Sequence, residues 1–262
     1  MSATFIHTDA HGNDFLLVNE AELAPGIDRG ALAREMCARA PGPGADGLMF
    51  FTHGVDGTRL LLRNADGSYS EVSGNGVRCL AAWIAEGRNL PDGAEFTIET
   101  DAGPRILTLL ERNGRRFRLR AFMGHPSTIR RLVLDVHGQS VDVATLSVGN
   151  PQCVVLDRYG EVSLHSLGGA LAVHPHFPEG TNVEFVRVES ASRLSILIWE
   201  RGVGPTASSG TGTCASAVAG ACFMGAARDV DVTAPGGTQR VEWRDDGIWL
   251  TGWAEVRAEF AV

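Results

Sequence analysis

A glycine-rich turn that leads into an alanine-rich segment occurs twice in this chain. The first copy reads EVSGNGVRCL over residues 71–80, and the second reads SSGTGTCASA over residues 208–217. Both copies have a serine, Ser73 or Ser209, at the entrance of the turn. Such a turn is typical of a helix start, so a chain that repeats it is expected to repeat the structure around it.

The residues around the two turns match in order and in spacing. A Gly-Asn pair, ending at Asn13 or at Asn150, precedes an apolar run about sixty residues before each serine. Nine residues before each serine, a strand-like run ends at a polar residue, Asn64 in the first half and Glu200 in the second. This agreement predicts an internal repeat.

The chain contains more strand-like than helix-like segments. Alternating or β-rich runs appear at AEFTIET, RRFRLRA, VDVATLSV, NVEFVRVE, RLSILIWE and DVDVTA. Helical spacing appears at DRGALAREMCARA, where Asp28 can cap the first turn, and after both glycine-rich turns. FMGHPST, residues 122–128, carries Gly and Pro and divides the repeats. We therefore predict an α+β fold of two similar domains, whose repeated turns face each other across a cleft.

Composition excludes several classes of function. The 262 residues are 44% hydrophobic and carry a net charge of −8, with no basic stripe for nucleic acid. No apolar run reaches the ~20 residues of a membrane helix, and the opening residues do not resemble a secretory signal. The five cysteines form no CxxC pair, and the eight histidines are dispersed. We expect a cytoplasmic protein with reduced, mostly buried thiols, no metal, no membrane contact and no nucleic-acid partner.

Each turn is a candidate seat for an anion. A helix N-terminus presents unpaired N–H groups and the positive end of the helix dipole, and glycine allows close approach to the backbone. Two such anion-binding sites that face each other could bind one carboxylate and stabilise the negative charge that develops on it as an α-proton leaves. The alternative interpretation is that Ser73 and Ser209 are ordinary N-caps.

Six polar residues border the apolar segments around these turns. An arginine can hold a carboxylate in two hydrogen bonds, while amide oxygens and a glutamate can accept from an ammonium group. The six residues together would suit a substrate that bears both a carboxylate and an ammonium group. Any one of the six alone is more often a turn or cap residue. They are Asn13, Asn64, Asn150, Asn182, Glu200 and Arg201.

On these residues the chain resembles the diaminopimelate epimerase family over nearly its whole length. The resemblance rests on GNDFLLV, GADGLM, RNADGS, SGNGVRC, VGNPQCVV, GTNVEFV, WERGVG and SGTGTCA. It implies two pseudosymmetric domains, each a barrel-like β-sheet around a central helix. We assign these domains to residues 1–122, with 252–262 as a candidate last strand, and to 123–262. It also implies a homodimer, a role in lysine biosynthesis and no cofactor, in particular no pyridoxal phosphate.

The resemblance also implies roles for individual residues. The family uses two cysteines, one as thiolate base and one as acid, and these correspond to Ser73 and Ser209. Its substrate-reading residues correspond to Asn64, Asn150, Asn182, Glu200 and Arg201. Further binding positions correspond to Asn13, Gly74, Asn75, Gly210 and Thr211.

This sequence departs from the family pattern at more than the two thiols. The family has a histidine where this chain has Gln152, a histidine where it has Asp9, and a glutamate where it has Pro205. Engineering would normally change only the cysteines, so we favour natural divergence over an engineered substrate trap. Replacing a thiol by an alcohol costs about 9–10 kcal/mol in forming the base. Cys79 and Cys214 lie several residues into the helices, where packing is their expected role.

Three functional hypotheses follow. The first is an epimerase acting on LL- or meso-diaminopimelate or a similar zwitterionic amino acid, with Ser73, Ser209 and Glu200 as catalytic residues. The second is a divergent isomerase of the same fold that uses Glu200 as a single base on another carboxylate substrate, with both serines as donors. The third is a non-catalytic homologue that only binds an amino acid.

Overall fold

The computed structural model describes residues 3–54, 57–71 and 73–262. The chain divides into two compact units. Unit 1 comprises Met1–Ala121 and Gly252–Val262, and unit 2 comprises Phe122–Thr251. The chain thus leaves unit 1 once, builds all of unit 2, and returns for its last residues.

The described residues of unit 1 form nine strands, two α-helices and a short 3₁₀ helix at Glu20–Glu22. The helices are α1 (Arg29–Cys37) and α2 (Gly74–Gly87). The strands are β1 (Thr4–Ala10), β2 (Asn13–Asn19), β3 (Gly47–Gly54), β4 (Gly57–Asn64), β5 (Tyr69–Ser70), β6 (Glu95–Thr100), β7 (Gly103–Asn113), β8 (Arg116–Gly124) and the end of β17 (Gly247–Ala261).

Eight strands of unit 1 close into a ring around α2. They pair in the order β1, β2, β3, β4, β6, β7, β8 and β17, and β17 pairs again with β1. The helix α2 contacts β1, β2 and β7, and even its polar residues Asn75 and Arg78 are 0% exposed. A helix buried on all sides must lie inside the barrel. The helix α1 packs outside it, on Leu16, Leu48 and Phe50.

Unit 2 repeats this architecture. Its helices are α3 (Glu161–Ala172) and α4 (Gly210–Phe223). Its strands before β17 are β9 (Ser127–Val136), β10 (Gln139–Ser147), β11 (Pro151–Val155), β12 (Asn182–Ser190), β13 (Arg193–Glu200), β14 (Gly204–Thr206), β15 (Asp229–Ala234) and β16 (Gly237–Arg244). Strands β9 to β13 pair in chain order, β13 then pairs with β15, β15 with β16, and β16 with β17.

The two units share element order and register. In unit 1, β2 pairs with β3 in parallel, with Phe15 opposite Gly47. In unit 2, β11 pairs with β12 in parallel, with Gln152 opposite Asn182. The helix α4 is buried from Gly210 to Gly220, as α2 is in its barrel. The internal repeat, the α+β class and the barrel-like sheet around a central helix are thereby confirmed.

Most predicted elements are observed, with two corrections. The helix α1 is capped as expected, since Oδ1 of Asp28 accepts from the backbone N–H groups of Gly30 and Ala31. The boundary between the two units falls at Phe122, within the predicted break over 122–128, but β8 continues to Gly124 and only residues 125–126 separate it from β9. The helix α3 has no predicted counterpart.

Candidate active-site residues

The first glycine-rich turn is a serine-capped helix start in unit 1. Ser73 has an extended backbone, and its Oγ accepts from the N–H of Gly76 at 3.1 Å. Gly74, Asn75 and Gly76 are buried at the start of α2. The first N–H groups of a helix have no acceptor within the helix, so this turn can offer donors to an anion.

The second turn has the same geometry in unit 2. The Oγ of Ser209 accepts from the N–H of Gly212 at 3.2 Å, again from an extended backbone. The carbonyl of Ser209 accepts from the hydroxyl of Thr213 at 2.6 Å. Both serines are therefore N-caps, and each hydroxyl lies at the positive end of a buried helix.

In unit 1, Asn13 connects the turn to a charged network. Its Oδ1 accepts from Nδ2 of Asn75 at 3.1 Å, and its own Nδ2 donates to Oδ2 of Asp46 at 2.7 Å. The amide of Asn13 is thus held in one orientation by a partner on each side.

Asn64 ends β4, and its Nδ2 donates to the hydroxyl of Ser68 at 3.0 Å.

Sequence reasoning did not identify the network behind Asn13. Arg39 donates to Asp14 and to Asp46, at 2.8 Å in each case. Burial raises the pKa of Asp14, but hydrogen bonds with His7 and Arg39 outweigh it and hold the pKa well below its usual range. Asp46 lies within the motif GADGLM, so an acidic residue in a motif with no assigned role was the available signal.

In unit 2, Asn150 connects the second turn to Gln152. The Nδ2 of Asn150 donates to Oγ1 of Thr211 at 3.4 Å, and Nε2 of Gln152 donates to Oδ1 of Asn150 at 2.6 Å. Thr211 and Gln152 are buried. These contacts bring together two residues of the predicted site, Asn150 and Thr211, with Gln152, which follows the Gly-Asn-Pro sequence.

Asn182, Glu200 and Arg201 form a second group in unit 2. The Oδ1 of Asn182 accepts from the backbone N–H of Arg201 at 2.9 Å, where β13 has just ended at Glu200. The guanidinium of Arg201 donates to the carbonyl of Glu179 at 2.8 Å and is exposed. The group therefore joins the start of β12 to the end of β13.

One buried acidic residue near this group was also missed. Glu184 is 0% exposed and lies on β12, two residues after Asn182. Burial, followed by the like charge of Glu200, raises the pKa of Glu184 well above its usual range. A charged residue within the apolar run NVEFV is the sequence signal that could have identified it.

The thiols near the turns are packing residues, as predicted. Cys79 in α2 and Cys214 in α4 are 0% exposed. Burial raises the pKa of Cys79 to about 12, which removes it as a base near neutral pH. All five cysteines are free thiols. In the part of the chain that the structure describes, no group of three His, Cys, Asp or Glu residues could hold a metal ion.

Comparison with known proteins places this arrangement in a family. The profile of the family described as diaminopimelate epimerase matches residues 5–129 and 144–256. The chain belongs to the diaminopimelate epimerase family. A family member from Desulforudis audaxviator, named diaminopimelate epimerase, is 40% identical over 264 residues, covering 93% of each chain. The protein is therefore an isomerase of the epimerase type, as the diaminopimelate epimerase family is.

Two further similarities extend over most of the chain. A chloroplastic diaminopimelate epimerase of Oryza sativa subsp. japonica is 37% identical, covering 96% of this chain and 78% of its own. The crystal structure of a PhzF-family phenazine biosynthesis protein from Bacillus anthracis superimposes with a TM-score of 0.76 at 14% identity. That alignment covers 100% of this chain and 99% of the other. At this identity the likeness concerns the fold, which this member of the diaminopimelate epimerase family shares. Within the described residues, no helix is long and apolar enough to cross a membrane.

Proposed function

We propose that the protein is an epimerase of the diaminopimelate type. It would invert the α-carbon of LL- or meso-diaminopimelate, or of a similar zwitterionic amino acid, by removing the α-proton from one face and delivering a proton to the other. The observation that carries the proposal is the pair of serine-capped turns, one in each unit. We take their serines to stand at the positions of the family's two thiols. The proposal includes a cytoplasmic homodimer that needs no cofactor.

The turns would bind the substrate carboxylate next to the reacting carbon. When the α C–H bond breaks, its electron pair delocalises into that carboxylate, and donors held at the start of a helix stabilise the added charge. We assign this role to Gly74 and Asn75 in unit 1 and to Gly210 and Thr211 in unit 2. Protonation on the opposite face then completes the inversion.

The remaining polar residues would read the far end of the substrate. A side chain that ends in an amino acid group offers one ammonium and one carboxylate, which call for acceptors and a cation respectively. Amide oxygens and Glu200 supply acceptors, and Arg201 supplies the cation. The amides belong to Asn13, Asn64, Asn150 and Asn182.

Because both positions carry serine, the group that removes the α-proton depends on the pKa of a hydroxyl group. Helix N-termini, neighbouring cations and metals together account for cysteine pKa values about 1–5 units below that of a free thiol. The same lowering would leave a serine hydroxyl still protonated at neutral pH, because its pKa starts about seven units above that of a thiol. Each serine hydroxyl also keeps a hydrogen of its own to donate while its oxygen accepts the cap bond.

This chemistry favours a second candidate function for the same fold. Glu200 would act as a single base on another carboxylate substrate, and Ser73 and Ser209 would donate to the developing enolate. In that case Glu200→Gln abolishes turnover, whereas Ser73→Ala or Ser209→Ala leaves much of it. In the two-serine epimerase, each serine variant loses as much as the glutamate variant does.

Proton exchange in D₂O tests both functions. The protein is incubated with LL-diaminopimelate, meso-diaminopimelate and other amino acids, and deuterium at the α-carbon is read by mass spectrometry. Uptake into diaminopimelate with inversion is the expected result, and the three variants above then identify the base. Glu189→Gln, on the exposed part of β12, is the matched control. Binding without uptake would contradict an active epimerase and indicate a homologue that only binds.

A further inference from the structure

Glu184 and Gln152 form a buried polar pair on one face of two neighbouring strands. In the parallel register of β11 and β12, Gln152 lies opposite Asn182, and Glu184 is two residues further along β12. Residues two apart on a strand share a face. Cys153, with Val183 on the strand beside it, packs on the other face against α3, so the polar pair faces α4.

The carboxyl group of Glu184 lies against the first turn of α4. A Cβ atom added to Gly212 would lie 2.5 Å from Oε1 of Glu184. Gly212 is the residue whose N–H caps onto Ser209. The carboxyl group is therefore directly beneath the turn that the proposed function uses.

Neither member of the pair is fully satisfied. Both carboxyl oxygens of Glu184 and Oε1 of Gln152 are buried without a hydrogen-bond partner among the described residues. Glu184 makes no ion pair with those residues, and Glu200 on β13 and Cys153 on β11 are the titratable groups on the adjacent strands. A buried carboxyl group without a cation is most stable in its neutral form, which adds a donor to the site.

The internal repeat indicates that packing alone does not require these polar groups. At the equivalent positions of unit 1, Phe15 replaces Gln152 and Met49 replaces Glu184 in the same strand register. The sulfur of Met49 lies 2.9 Å from a Cβ added to Gly76, as Glu184 does at Gly212. An apolar pair thus supports the first turn of α2, while a polar pair supports that of α4.

We propose that Glu184 is a positioning residue that works as a neutral acid. The O–H group of the neutral Glu184 donates a hydrogen bond to Oε1 of Gln152, directly or through one water molecule. That bond fixes the Gln152 amide so that Nε2 donates to Asn150, which in turn donates to Thr211 at the start of α4. An ionised Glu184 would instead attract the NH₂ group of Gln152 and turn both amides around.

The consequence for catalysis rests on the proposed function, because Asn150 and Thr211 are among its binding residues. The orientation of the two amides does not depend on any substrate. Two kinds of measurement therefore separate this proposal from the proposed function. One observes the carboxyl group and the amides directly, and the other observes α-proton exchange.

The direct test uses ¹³C-labelled glutamate carboxyls and ¹⁵N-labelled side-chain amides in NMR at neutral pH. We expect one protonated carboxyl resonance that Glu184→Gln removes and the control Glu189→Gln keeps. Glu184→Gln, which retains a neutral donor, should leave the Asn150 amide resonance in place. Glu184→Met, which copies unit 1, should shift it while keeping the protein folded. Glu184→Leu serves if Glu184→Met does not fold.

Two results would overturn the proposal. One is an ionised Glu184 at neutral pH, and the other is an Asn150 amide that responds equally to the glutamine and the apolar variant. In the exchange assay we expect Glu184→Gln to keep its rate and Glu184→Met to lose about tenfold, mainly in kcat. If the wild-type protein exchanges no amino acid, the proposed function fails, but the NMR result still decides the role of Glu184.

Discussion

At the residue scale, the side-chain atom that caps each central helix is oxygen rather than sulfur. The cap bonds to Ser73 and Ser209 are of ordinary length, so each hydroxyl is held at the start of its helix in both units. The same surroundings would favour a thiolate much more than an alkoxide, because the thiol starts about seven pKa units lower. The chemistry should therefore respond to one atom in each turn.

Restoring both sulfur atoms is expected to raise activity. In Ser73→Cys with Ser209→Cys, α-proton exchange into diaminopimelate should rise at least ~100-fold, because each pKa unit changes the population of the base tenfold. Deuterium uptake followed by mass spectrometry measures the rate. Ser166→Cys on the exposed side of α3 is the control for an added thiol. An unchanged rate in the double variant would mean that the serines are not at the proton-transfer positions.

The sequence predicted the residues of each turn better than the contacts behind them. Asn13 and Asn75 stand in recognisable motifs, and their hydrogen bond joins residues 62 apart in the chain. Asp46 and Arg39 stabilise that arrangement through contacts from two further segments. Motif spacing has no information on which charged side chains meet after folding, so this network could not be derived from it.

At the scale of elements, the helix α3 was not predicted because its local sequence signal is weak. Its N-cap is Gly160, which makes no side-chain cap bond, and its interior contains Gly168 and Gly169. Glycine lowers helix propensity by about 1 kcal/mol. Both glycines pack under Trp199, where a Cβ at Gly168 would lie 2.8 Å from the ring. Packing against a distant strand therefore overrides a weak local signal.

The two central helices should respond differently to the same substitution. Gly212→Ala forces a Cβ against the buried Glu184 and should lower the free energy of unfolding by about 2 kcal/mol. Gly76→Ala meets the flexible end of Met49 at 2.9 Å and the Cβ of Ser73 at 3.2 Å, and the helix propensity of alanine offsets part of that cost. Urea unfolding measures both. Glu184→Ala should relieve the effect of Gly212→Ala, and equal losses in both single variants would contradict this account.

At the scale of the whole molecule, the end of the chain completes the barrel of unit 1. The last strand pairs with β1 from Thr4 opposite Ala261 to Asp9 opposite Glu255. The rings of Phe5 and Phe260 stack with centroids 6.1 Å apart. The same strand pairs with β8 on its other side. Removing it would leave two strand edges open within unit 1.

Deleting residues 253–262 should therefore destabilise unit 1 selectively. We expect faster amide hydrogen exchange in β1, β8 and α2, because the ring around α2 is opened. The helix α4 should keep its protection, since its contacts are with strands of unit 2. Exchange followed by mass spectrometry compares the deletion with the full chain. Unchanged exchange in β1 would show that the last strand is dispensable for the barrel.

The position of this strand also has a consequence for synthesis on the ribosome. Unit 1 begins at the first residues, but its ring closes only with Gly252–Val262, after all of unit 2 has been translated. At about 5–20 residues per second, the incomplete first barrel waits on the order of 10 s. Unit 2 can therefore complete its sheet before unit 1 does. The nascent chain exposes an open sheet during the interval when a chaperone would be most useful to it.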